Sequence, residues 1–134
     1  MKLTNALPKV AKAPEATVEA QFTKRQQAIF KFFDRHYIDI ANWTAGWDPL
    51  PKGFKALVKM TDTLDQNGRA PKLPKSIAKL VAETDENISV VAARPKGLKK
   101  ACYAAIIQDV HNAKTTFMAF DEKGALAGQR TISG

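Results

Sequence analysis

Apolar positions along residues 16–40 recur at helical spacing. Phe22, Ile29, Phe33, Tyr37 and Ile40 form one stripe, with Ala28 and Phe32 beside it and Lys24, Arg25, Lys31 and Arg35 on the rest of the surface. This predicts a first helix from about Ala16 to Ile40. Gly46, Pro49 and Pro51 then break the pattern, so residues 42–51 read as a loop. Phe54, Leu57, Val58, Met60 and Leu64 suit a second helix from Gly53 to about Gln66, stopped by Asn67-Gly68. Residues 69–73 read as a connector. Pro74 opens a third helix ending near Thr84, with Ile77, Leu80 and Val81 on one face.

The period then changes. Residues 88–93, Ile-Ser-Val-Val-Ala-Ala, are β-rich and too short for a helix, and read as a strand. The run from Leu98 to His111 carries Leu98, Cys102, Tyr103, Ala105, Ile106, Ile107 and Val110. Those apolar positions span more than half of a helical circumference, so the run reads as a deeply buried fourth helix. Residues 115–120 and 125–132 form two arms of a hairpin around Asp121-Glu122-Lys123-Gly124. Phe117 and Ala119 should face opposite to Met118 and Phe120. The implied fold class is α+β: three N-terminal helices, then a strand–helix–strand–strand unit. Its sheet would have about three strands, with helices on one face. The fourth helix would bear on that sheet through Leu98, Cys102 and Ile106. The strand–helix–strand step would be right-handed if its strands ran parallel.

Length and composition fit one domain. The 134 residues are 45% hydrophobic and 25% charged, which are globular values. Residues 1–16 hold Pro8 and Pro14 among Ala and Lys without an apolar period. They read as a flexible basic tail, followed by a single α+β domain over 17–134. No apolar run reaches the ~18 residues of a membrane span, and Pro8 and Lys9 interrupt any leader-like stretch. Cys102 is alone, so no intrachain disulfide or cysteine metal cluster can form. A cytoplasmic location without membrane attachment is the expectation.

Charge is distributed unevenly along the chain. The net charge is +8, from 21 Lys+Arg against 13 Asp+Glu. Residues 1–13 carry +3, residues 14–51 carry −1, residues 52–100 carry +6, and residues 101–134 balance at zero. Within the central block, Pro51-Lys52-Gly53-Phe54-Lys55 and Pro95-Lys96-Gly97-Leu98-Lys99-Lys100 share the order Pro-Lys-Gly-apolar-Lys. Pro71-Lys72-Leu73-Pro74-Lys75 is related to both. Each lies at an expected helix start, where the helix dipole is positive and lysine is disfavoured unless an anion is bound. This marks Lys52, Lys55, Lys72, Lys75, Arg94, Lys96, Lys99 and Lys100 as nucleic-acid or anion-binding residues. Trp43 and Trp47 read either as a stacking or interface pair or as plugs over the first helix.

Catalytic and cofactor signals are missing from the sequence. No phosphate-binding glycine loop occurs, and Asp62 to Gly68 lacks calcium-loop spacing. His36 and His111 stand beside acids on the chain but not where a dyad would form. Cys102 reads as a core thiol, and Ser76 and Ser89 have no evident base. No metal or cofactor is expected. The leading reading is a small non-catalytic protein that binds DNA or RNA through phosphate contacts. The alternatives are a protein-interaction or inhibitory module that docks on an acidic partner such as a nucleic-acid-processing complex, and, third, a small nuclease or phosphate-handling enzyme using His36 or His111.

Overall fold

The computed structural model describes residues 22–61 and 72–133. The expectations for the tail over 1–16, for the Asn67-Gly68 stop and for most of the connector lie outside the described residues. Within them the chain runs α1 (Lys24–Asp34), α2 (Tyr37–Thr44), β1 (Lys55–Val58), α3 (Lys75–Glu83), β2 (Asn87–Ala93), β3 (Cys102–Asp109), β4 (Lys114–Phe120) and β5 (Leu126–Ser133). The five strands form one antiparallel sheet in the order β1-β2-β3-β4-β5. The fold is α+β, as the mixture of periods implied.

Local chemistry explains the helices. Thr23 caps α1: its hydroxyl accepts from the Gln26 amide at 3.1 Å, and the Gln26 side chain accepts from the Thr23 amide at 2.9 Å. The expected long first helix is interrupted at Arg35–His36, where His36 takes φ −105°, ψ 14°. The bend lets Ile29 and Phe33 on α1 and Ile40 on α2 enter one core. Helix also continues beyond the bend through Trp43 and Thr44, where the sequence predicts loop. The α3 expectation holds, with Ile77 and Val81 buried.

Two expected helices are strands. The second, over 53–66, is β1 in its described part. Phe54, Leu57 and Val58 have helical spacing, but a bulge between Ala56 and Val58 turns both Leu57 and Val58 toward one face while Phe54 packs on the other. The fourth, over 98–111, is β3, the central strand, paired along its length with β2 and β4. Cys102, Ala104 and Ile106 meet α1 and α2 on one side, and Tyr103, Ala105 and Ile107 meet the α3 core on the other. Burial on both faces removes the alternation that distinguishes a strand from a buried helix.

The sheet is therefore covered on both faces, not on one. Leu98, Cys102 and Ile106 do belong to one core, but as a loop residue and two strand residues. Every strand pairing among the described residues is antiparallel, so the right-handed crossover is not formed there. The hairpin expectation holds: β4 and β5 pair from Lys114↔Ser133 to Phe120↔Leu126, and Phe117 and Ala119 face one core while Met118 and Phe120 face the other. Strand 88–93 joins the same sheet as β2.

Cys102 is fully buried, and burial pushes its thiol up from 9.0 to about 11. The unfolded chain therefore ionises the thiol first, and its contribution to stability is full below pH 9 and is lost as the pH rises toward 11. Unfolding titrations of the protein and of Cys102→Ala check this. The stability advantage of the native residue is expected to shrink between pH 8 and 11, and an advantage that stays constant would contradict it.

Candidate nucleic-acid interface

Antiparallel register gathers the basic residues at one end of the sheet. Lys55 pairs opposite Ala92, so the turn that leads into β1 and the loop that leaves β2 emerge side by side. Both Pro-Lys-Gly segments are turns rather than helix starts. The Phe54 amide donates to the Pro51 carbonyl at 3.1 Å, and the Leu98 amide donates to the Pro95 carbonyl at 3.1 Å. Gly53 and Gly97 have φ of 93° and 89° at the third position, the left-handed value that a type II turn requires. Lys52 and Lys96 stand at the turn corners, exposed. Phe54 and Leu98 point inward to the α1–α2 core, which anchors both turns.

These turns overturn the helix-start expectation. Lys52, Lys55, Lys96, Lys99 and Lys100 face no helix dipole, because no helix begins behind them. Of the three basic segments, only the one that ends in Pro74-Lys75 opens a real helix, with Lys75 the first residue of α3. The other two segments resemble each other because the same turn is used twice at one end of the sheet.

Lys72 reaches the same end by another route. The Ser76 hydroxyl donates to the Gly124 carbonyl at 2.6 Å, which ties the start of α3 to the β4–β5 turn. An open groove of about 550 Å³ lies between them, with Lys55, Lys72, Lys123 and Tyr103 among its lining residues. Lys52, Lys55, Lys72, Lys75, Arg94, Lys96, Lys99 and Lys100 are all exposed. None of them takes part in an ion pair among the described residues, where the pairs are Arg25–Glu122, Arg130–Asp34 and His36–Asp39. The opposite end of the sheet carries Asp85, Glu86 and Asp109 beside Lys59 and Lys114. There Asn112 donates to Asp109 at 2.7 Å and holds its carboxyl below the usual range.

The tryptophans part company. Trp43 is half-buried against the α1–α2 core, with the Lys59 ammonium 5.2 Å from its ring centroid. Trp47 is 77% exposed. Tyr103 and Lys123 are also neighbours of the basic residues, which their positions in the sequence do not reveal. Tyr103 sits in a run that reads as helix, and Lys123 lies in a charge-balanced segment whose place at this end follows only from strand order.

His36 and Ser89 are structurally engaged. His36 Nδ1 lies 3.3 Å from Asp39, and its ring packs beside the stacked Phe32–Phe54 pair, at 5.4 and 5.1 Å from the two centroids. Ser89 accepts from the Met60 amide at 3.0 Å. Among the described residues, no three His, Cys, Asp or Glu side chains are arranged to hold a metal ion, and no helix is long and apolar enough to cross a membrane. Comparison with protein-family models, with curated proteins and with solved structures found no match to this chain.

Proposed function

We propose that this chain is a small, non-catalytic, cytoplasmic accessory protein that binds nucleic acid through its phosphate backbone. The observation that carries the reading is the cluster of exposed lysines and Arg94 at one end of the sheet, without carboxylate partners among the described residues. Isolated cations on a surface cost little, but eight on one end repel one another and favour a polyanion. Phosphate contacts made by turn and loop lysines position a nucleic acid without reading its bases. The lack of a base-reading motif in the sequence fits affinity with little sequence preference. Exposed Trp47 favours a second reading, in which an acidic protein surface is the partner and Trp47 is its anchor.

A titration against mixed-sequence DNA and RNA at two salt concentrations separates the two. Binding that falls steeply with salt supports the nucleic-acid reading. No binding at low salt removes it.

A further inference from the structure

The groove at the basic end holds more than charge. Tyr103 lines it together with Lys55, Lys72 and Lys123. Tyr103 is partly buried: it packs on the α3 core and stands opposite Phe120 on β4, while its partner on β2 is the small Ala92, which lines the groove with it. No aromatic ring is stacked on Tyr103, and its hydroxyl makes no hydrogen bond among the described residues. A tyrosine with a partly uncovered ring and an unused hydroxyl, set among three lysines, offers both a stacking surface and phosphate contacts.

The one carboxylate lining this groove is already neutralised. Glu122 accepts from Arg25 at 2.9 Å, and hydrogen bonds from its own backbone amide and from Arg25 hold its carboxyl below the usual range. An approaching phosphate therefore meets lysines rather than an unpaired acid. The groove volume of about 550 Å³ falls within the ~300–1,000 Å³ common for ligand sites.

Building on the nucleic-acid reading above, we infer that the groove takes single-stranded nucleic acid, with an unpaired base stacked on Tyr103 and the flanking phosphates on Lys55, Lys72 and Lys123. In a duplex the base faces are hidden in the stack, so a duplex presents phosphates to the rim but nothing to the ring. A single strand presents both. Stacking on an aromatic side chain tolerates any base, in keeping with weak sequence readout.

The test uses the full chain and fluorescence anisotropy at low salt, with labelled oligothymidylate and the same strand annealed to oligodeoxyadenylate. The single strand is expected to bind at least about fivefold tighter than the duplex. Tyr103→Leu should erase that preference, and Tyr103→Phe should keep it, because the ring is retained. Equal affinity for the two forms, or a preference that survives Tyr103→Leu, would overturn the assignment. If Tyr103→Leu does not fold, the native strand preference and its retention in Tyr103→Phe decide the matter. Duplex binding that stays salt-sensitive without a single-strand preference would leave the phosphate reading standing and sink only the groove. Failure of both forms to bind would sink both.

Discussion

Replacing Phe117 with alanine is expected to destabilise the protein by about 3–5 kcal/mol, the upper end of what truncating a single core side chain can cost. Phe117 is completely buried on β4. Its ring lies 6.4 Å from that of Phe30 and 5.0 Å from that of Tyr37, so it joins the sheet to α1 and also to the residue that opens α2. Truncation leaves a cavity between three elements, and neither helix can close it alone, because both also pack through Ile29, Phe33 and Ile40. In a domain whose total stability is ~5–15 kcal/mol, that loss lowers the melting temperature by roughly 10–20 °C. Trp47→Ala is the contrast. Trp47 is mostly exposed, so its removal should change stability by no more than about 0.5 kcal/mol. Thermal unfolding of the two variants checks the pair, and equal losses would contradict the core assignment.

The second large effect concerns binding rather than stability. Lys96, Lys99 and Lys100 lie together on the loop between β2 and β3, all exposed and none in an ion pair among the described residues. At about 1 kcal/mol for each phosphate contact, changing all three to glutamine should weaken nucleic-acid binding about a hundredfold. Stability should stay level or rise slightly, since the change relieves mutual repulsion in the loop and breaks no ion pair. The hydrogen bond from the Leu98 amide to the Pro95 carbonyl and the packing of Leu98 do not involve these side chains, so the loop keeps its shape. Reduced stability with binding intact would show that the three lysines serve the fold.

What the sequence discloses depends on how each element is buried. The edge hairpin is legible because β5 alternates between covered and exposed residues and its turn contains Gly124. α3 is legible because one face alone is covered and Pro74 marks its start. β3 is not, because helices cover both sides of the sheet and leave it apolar from Cys102 to Ile107. β1 is hidden by a bulge that gives a strand the spacing of a helix turn. The break between α1 and α2 has no proline or glycine to announce it. For the site, the composition of the basic block and the Pro-Lys-Gly repeat are visible in the sequence, but their cause is not. Spacing alone makes the lysines helix-start residues, whereas register and a shared turn type bring them together. Lys123 and Tyr103 can be placed beside them only once the strand order is known.

If the basic end of the sheet meets phosphates, the dependence of binding on salt shows it most directly. A plot of log K against log salt concentration should be linear and steep for the native protein. For the variant with Lys96, Lys99 and Lys100 changed to glutamine, the slope should fall by about 2–3, roughly 0.7–0.9 for each phosphate no longer neutralised. The same slope in both proteins, with binding retained, would place the phosphate-binding residues elsewhere on the molecule and contradict the assignment.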